Sequence, residues 1–245
     1  MRTRKDLRVC FCNRKESVWM STFVLKLIAC IAMLIDHVTA TFVTSPGLLW
    51  TLGRGIGRLA FPIFCFLIVE GLIHTRDKKK YALRLLIAAV ISEVPYDLMR
   101  YGKVWNFDGQ NVMWTLLLGF LAIATIEYVK TKFPGDMFKY NTFSCMAILL
   151  CGVTALFLTT DYTIFGVTLI VSFYMFRGRK LGNFLMFFVL TWLFYSNGTI
   201  QFFGLLAYPL FLLYNGKKGM DDKYCLYAFY PVHMLILGLL VRFVL

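Results

Sequence analysis

Residues 23–43 read FVLKLIACIAMLIDHVTATFV, and their composition decides what kind of fold this chain can adopt. Apart from Lys26 near the start and the Asp36-His37 pair in the second half, the stretch is apolar or weakly polar. Wound as an α-helix at about 1.5 Å per residue, it reaches roughly 30 Å, the thickness of a bilayer's hydrocarbon core. It lacks the alternation of apolar and polar residues that a membrane barrel strand needs. Only helices and closed barrels satisfy every backbone group in lipid, so the stretch predicts a transmembrane helix.

Working outward, similar runs recur to the end of the chain: Ile56–Ile73, Tyr81–Met99, Asn111–Val129, Thr142–Thr159, Tyr162–Phe176, Leu181–Tyr195, Ile200–Tyr214 and Tyr224–Val244. The sixth to eighth are short. Fifteen helical residues reach only about 22 Å, so these runs are either longer than drawn or include a re-entrant pair. The bulk composition agrees with a membrane location. Of 245 residues, 59% are hydrophobic and 16% charged, and the mean hydropathy is +0.69. A soluble domain of this size needs more polar surface. The expectation is an all-α polytopic membrane helix bundle of about nine transmembrane helices, within a range of eight to ten. Residues 1–22 form a basic cytoplasmic segment and residues 23–245 a single transmembrane domain. No small-residue cleavage site follows the first run, so no cleavable signal peptide is expected.

The formal net charge of +13 would suggest nucleic acid in a soluble protein. Here the basic residues fall in short loops between apolar runs, where the positive-inside rule accounts for them, and nucleic acid is not an expected partner. With the N-terminus inside, nineteen basic residues lie on the cytoplasmic side, among them Arg76, Lys78, Lys79, Lys80, Arg177, Arg179, Lys180, Lys217, Lys218 and Lys223. Arg54, Arg58, Arg100, Lys103 and Arg242 lie outside. Lys26 and Arg84 sit within helices near the inner face. The seven cysteines include no CxxC pair, which argues against both a disulfide framework and a zinc site. Cys10 and Cys12 read as reduced cytoplasmic thiols. Asn197-Gly198-Thr199 matches a glycosylation sequon, but Asn-Gly is a turn dipeptide and reads as a tight outer turn.

Ionisable residues inside the hydrocarbon carry the functional signal, because each costs roughly 2.5–3.5 kcal/mol on insertion scales. Asp36 and His37 occupy the outer half of the first helix. Arg54 and Arg58 precede or open the second. Glu93 and Asp97 lie near the outer end of the third, with Pro95 between them, and Asn106, Asp108, Gln110 and Asn111 lead into the fourth. Asp161 sits at an outer turn. Acidic, basic and imidazole groups thus gather at one depth. His37 is the group whose charge changes most readily near neutral pH. Asp36, its neighbour in sequence, points about 100° away, so Asp36 is expected to pair with Arg54 or Arg58. That leaves Glu93 or Asp97 to accept from the imidazole. A purely structural role is the competing reading, with a buried ion pair joining two helices. His74, among Arg76, Asp77 and three lysines, reads as a solvated interfacial residue. Glu70 is expected to face the bundle or the inner interface. His233 lies mid-span after Pro231, where proline frees a carbonyl that a side chain can satisfy.

Several stretches resemble, in order and spacing, the TraX family. They are Leu25–Val38 with Asp36-His37, Gly57–Gly71 with Arg58, Pro62 and Glu70, and then His74-Thr-Arg76. Lys79-Lys80-Tyr81 with Arg84, Ile91–Asp97, Asn111–Leu116 and Phe229-Tyr230-Pro231-Val232-His233 continue the series. The resemblance implies a multi-pass acetyltransferase of the bacterial inner membrane, similar to the acyltransferase-3 proteins and the heparan glucosaminide acetyltransferase. The family's founding member is associated with acetylation of a pilin N-terminus. Acetyl-CoA is the implied donor, and no metal is implied. His37 becomes the catalytic candidate, supported by Asp36, Arg58, Glu93 and Asp97. Arg76, Lys79, Lys80 and Arg84, with His233 of the last run, become the candidates for holding the donor. His37 lies fourteen residues beyond Phe23, about 21 Å along the helix, a span comparable to a pantetheine arm. The implied partners are membrane lipid and an acyl acceptor, either a protein N-terminus or a small molecule. A homodimer is one arrangement the sequence allows. Two other readings use the same residues: a proton-coupled transporter, and a non-catalytic scaffold for pilus or envelope assembly.

Overall fold

The computed structural model describes residues 20–195, 198–220 and 225–244. Among them the chain is helix and turn, with two isolated bridges, Met20 to Tyr214 and Gln110 to Thr160. Cys10, Cys12, the basic residues of 1–19, Asn197 and Lys223 lie outside the described residues.

The helices are α1 (Thr22–Phe42), α2 (Leu48–Gly57), α3 (Ala60–His74), α4 (Lys78–Tyr101), α5 (Val112–Lys132), α6 (Met137–Phe157), α7 (Thr163–Met175) and α8 (Lys180–Tyr195). A 3₁₀ segment (Thr199–Ala207), α9 (Tyr208–Leu212) and α10 (Cys225–Val244) follow. Their starts are written in capping residues. Ser21, Asp77, Asn111 and Asp136 each accept from a backbone N–H in the first turn of α1, α4, α5 and α6. The N–H groups of Lys80 and Lys139 hold the Asp77 and Asp136 carboxyls below their ordinary range. Gly102 ends α4 in the left-handed region at φ 66°, which an L side chain resists.

Among the described residues, four helical stretches are long and apolar enough to cross a membrane: α1, α2 with α3, α5 and α6. α4 has 24 residues, about 36 Å, but carries Lys78, Lys79, Lys80, Arg84, Glu93, Asp97 and Arg100. Large apolar side chains face outward, among them Leu48, Leu49, Leu150 and Phe157, as expected of surfaces that meet lipid.

Several boundaries differ from the sequence reading: α4 begins at Lys78, not Tyr81, and α6 at Met137, not Thr142, each directly after an aspartate cap. The second run begins at Leu48, not Ile56, because Arg54 and the glycines beside it are helical. Gly53 and Gly57 let α2 approach α1 closely. A Cβ at Gly57 would lie 2.2 Å from the Asp36 carboxylate, and one at Gly53 2.1 Å from the Thr39 hydroxyl. The helix breaks at Arg58-Leu59 because Pro62 cannot donate to the Arg58 carbonyl four residues back. The eighth run is not one α-helix but the 3₁₀ segment followed by five α-helical residues. At about 2.0 Å per residue the tighter winding lets these fourteen residues reach roughly 25 Å. That segment packs on α2, α3 and α8.

α10 packs along α4 and also touches α1, which in turn packs on α2 and α3. α5 and α7 form the centre, contacting each other and α3 and α6. Phe120, Ile123, Leu169, Ile170, Phe173 and Ile63 are fully enclosed there. Gly119 and Gly166 bring α5 and α7 together, against Ile170 and Thr115 respectively.

Candidate active site

The site forms at the end of the bundle where α1 finishes and α2, α5 and α7 begin. Asp36 on α1 is buried, and both guanidinium groups from the α2 segment reach it. Arg58 Nη2 donates to Asp36 Oδ1 at 2.8 Å and Oδ2 at 2.7 Å, and Arg54 Nη1 donates to Oδ2 at 2.8 Å. Arg58 also spends Nε on the Arg54 carbonyl at 3.3 Å and Nη1 on the Tyr162 hydroxyl at 3.2 Å. Its three nitrogens are all engaged. Arg54 directs Nη1 alone to Asp36, leaving Nε and Nη2 without a hydrogen bond among the described residues. Asp36 is shared by two guanidiniums, and a second carboxylate, that of Asp161, lies within electrostatic reach of Arg58. Charge-assisted bonds of this length are strong, and losing one partner of a buried pair costs about 3–5 kcal/mol.

Tyr162 arrives on a strained turn. Thr159, Tyr162 and Thr163 hold φ of 50°, 64° and 39°, a region costly for residues with a side chain. The turn is pinned to the start of α5. Gln110 N–H donates to the Thr159 carbonyl at 3.2 Å and Asp161 N–H to the Gln110 carbonyl at 2.9 Å. The Thr115 hydroxyl reaches the Thr160 hydroxyl at 3.0 Å and also the Asp161 carbonyl. The Tyr162 ring stacks on Phe61 at 3.6 Å. Surroundings that over-determine an unfavourable backbone are what such strain requires.

His37 follows Asp36 and turns to another helix. Its Nδ1 lies 2.8 Å from Nε2 of His233 on α10, and the rings are within 8° of parallel. His233 is buried, donates Nδ1–H to the Phe229 carbonyl at 2.7 Å, and is stacked against the Phe229 ring at 4.7 Å. His37 is partly exposed.

This corrects the expected partner of His37, since neither Glu93 nor Asp97 contacts it. Both face the segment that opens α5. Glu93 accepts from Trp114 Nε1 at 2.8 Å, from the Asn111 N–H at 3.3 Å and from the Asn111 side-chain amide. Asp97 Oδ2 accepts from the Asn106 N–H at 2.8 Å, while its buried Oδ1 has no partner among the described residues. They share a helix face as expected, and that face serves the α4–α5 connection. His233 likewise sits beside His37, away from the other residues suggested for the donor. Its Nδ1 bonds the Phe229 carbonyl, not the Tyr227 carbonyl that Pro231 frees.

Arg76, Lys79, Lys80 and Arg84 lie at the opposite, lysine-rich end of α4. Lys80 pairs with Asp77 at 3.6 Å, and Arg84 lies over the Tyr81 ring at 5.3 Å. Thirteen helical residues, about 20 Å, separate Lys80 from Glu93. At this same end Glu70 is buried and accepts from Arg177 Nε at 2.8 Å and Nη2 at 3.2 Å. His74 is exposed and donates to the Glu70 carbonyl at 2.8 Å. The roles of Tyr162 and Arg177 were missed from sequence, where Arg177 counts only as a cytoplasmic basic residue and Tyr162 only as the first residue of an apolar run.

The family described as TraX protein matches residues 21–241, which includes every residue of the site. A protein of Dichelobacter nodosus named "Probable fimbrial assembly protein FimC, serogroup H1" is 31% identical over 252 aligned positions, covering 91% of this chain and 96% of the relative. No solved structure matches. A family match across nearly the whole chain, joined to an all-helical fold with four membrane-length apolar stretches, identifies this protein as a membrane protein of the TraX family.

Proposed function

We propose that this protein is a multi-pass acyltransferase of the bacterial inner membrane, moving an acetyl group from cytoplasmic acetyl-CoA to an amine or hydroxyl acceptor. In this reading residues 23–245 are one transmembrane unit of about nine spans, with the N-terminus and the lysine-rich end in the cytoplasm. The observation that carries it is a partly exposed imidazole, held by a second imidazole, one residue along α1 from a carboxylate shared by two guanidiniums, of which Arg54 keeps unused donors among the described residues. Helix glue has no use for spare donors of that kind, and transfer from a thioester needs a base and an anion stabiliser together.

The chemistry then runs on this chain's own groups. The acceptor's oxygen or nitrogen attacks the thioester carbonyl while the His37 imidazole takes its proton. Negative charge developing on the carbonyl oxygen is met by the N–H groups of Arg54 that Asp36 does not use. Arg58, saturated by Asp36, Tyr162 and the Arg54 carbonyl, holds the Arg54–Asp36–Arg58 group in shape. Collapse breaks the C–S bond, and the imidazole returns the proton to sulfur. Arg76, Lys79, Lys80 and Arg84 at the lysine-rich end suit the donor's phosphates.

A second reading has one observation in its favour, the assembly role in the relative's name. There the protein supports a pilus without catalysis, and the polar cluster fixes helices. Transfer of labelled acetyl from acetyl-CoA by the purified protein separates the two. Acyl transfer requires label on an acceptor with wild type and its loss with His37→Ala. An assembly scaffold keeps piliation with His37→Ala and transfers nothing in either case.

A further inference from the structure

The two histidines form a directional pair whose proton positions follow from one fixed acceptor. The Phe229 carbonyl can only accept, so the His233 nitrogen 2.7 Å away, Nδ1, carries the hydrogen. A neutral imidazole holds one N–H, so His233 Nε2 is bare and accepts. The nitrogen facing it at 2.8 Å, His37 Nδ1, must then donate. That uses the single hydrogen of a neutral His37 and leaves its Nε2 bare, on the ring edge away from His233. We propose that His233 is a positioning residue that fixes His37 in the Nδ1–H tautomer, so that Nε2 is the atom that takes the acceptor's proton. The role in turnover rests on the acyltransferase reading, whereas the tautomer does not.

Packing holds the pair in this state. His233 is buried between the Phe229 ring, stacked at 4.7 Å, and the Tyr230 ring at 5.9 Å, so its imidazole cannot swing to another partner. Its anchor lies four residues earlier on the same helix, so the hydrogen bond to Phe229 survives small movements of α10 against α1. Asp36 is occupied by arginines, Glu93 by Asn111 and Trp114, and Asp97 turns to Asn106, so none of these three carboxylates takes the His37 hydrogen. When Nε2 takes the acceptor's proton, the Nδ1–H bond of the imidazolium to His233 strengthens and shares the charge. When Nε2 delivers that proton to the thiolate, both rings return to their starting state. This is how a second residue orients a catalytic base, with a neutral acceptor where a carboxylate often serves.

Nitrogen-15 NMR of protein labelled at histidine reads the tautomers directly, and with three histidines in the chain a His74 variant completes the assignment. The expected spectrum has Nδ1 protonated and Nε2 bare in both His37 and His233. In His233→Ala, His37 should lose its fixed tautomer and kcat should fall about 100-fold with the donor KM little changed. His233→Gln puts an amide oxygen near the former Nε2 and should restore the His37 tautomer and much of the rate. A protonated Nε2 on His37, or a His37 spectrum that His233→Ala leaves unaltered, overturns the proposal. If wild type transfers no acetyl, the acyltransferase reading falls by itself. The tautomer pattern then decides this proposal, with Nδ1–H on both rings supporting it and Nε2–H on His37 overturning it.

Discussion

Arg54 and Arg58 carry the same charge four residues apart, yet the structure gives them different work. Arg58 distributes Nε, Nη1 and Nη2 over three separate partners, and an ammonium cannot reproduce that fork. Arg58→Lys should therefore lower stability by about 2–3 kcal/mol in denaturant unfolding of the solubilised protein. Arg54→Lys keeps one bond to Asp36 and should stay within about 1 kcal/mol of wild type. Its transfer rate should nonetheless fall about 100-fold, as expected for loss of an oxyanion donor. The reverse pattern would show that Arg58 meets the reacting group. Part of this was legible in sequence. Adjacent helix positions diverge, so Asp36 had to look toward the arginines and His37 elsewhere. Where His37 looked was not legible, because its partner is 196 residues away and no local pattern links them.

Elements join at Asn111, which caps α5 and ties it to α4. Its Oδ1 accepts from Met113 N–H at 3.0 Å, and its amide reaches the Ala89 carbonyl at 2.8 Å and the Glu93 carboxylate. Asn111→Ala loses the cap, the bond to the Ala89 carbonyl and one of the three donors to the buried Glu93 carboxylate, since the backbone N–H and Trp114 remain. A loss of about 3 kcal/mol is expected in the same unfolding measurement. Asn111→Asp caps equally well but sets a second carboxylate against Glu93, so it should do no better than alanine. Wild-type stability in Asn111→Asp would contradict the assignment. The caps at Ser21, Asp77, Asn111 and Asp136 each act within their own turn, yet the apolar runs opened α4 at Tyr81 and α6 at Thr142, because the polar first turns after Asp77 and Asp136 do not read as membrane helix. The helical start at Leu48 was not legible either, since Gly53, Gly55 and Gly57 suggest a loop until Asp36, Thr39 and Phe203 fill the space beside them. The 3₁₀ winding of residues 199–207 likewise answers to packing on α2, α3 and α8 and leaves no periodic trace in sequence.

At the scale of the molecule, composition alone marks the chain as helical and membrane-embedded, since apolar runs and loop charges depend on no tertiary contact. The two ends of the bundle differ in kind. One end bears the Lys78–Lys80 run, Lys217 and Lys218, together with the Glu70–Arg177 pair. The other holds the histidines, the arginine–carboxylate group and the pinned turn at Thr159–Thr163. If the lysine-rich end is cytoplasmic, a periplasm-dependent reporter enzyme fused after Lys103 should be active, and fusions after Lys79 or Lys218 inactive. The opposite result would invert the topology. Acyl transfer with His37 as base, from a donor held at the lysine-rich end, can be read in sealed proteoliposomes of known orientation. Labelled acetyl-CoA supplied on the lysine-rich side should label an acceptor with wild type and fail to do so with His37→Ala. Equal labelling by the two proteins, or none from either side with wild type, would contradict the account.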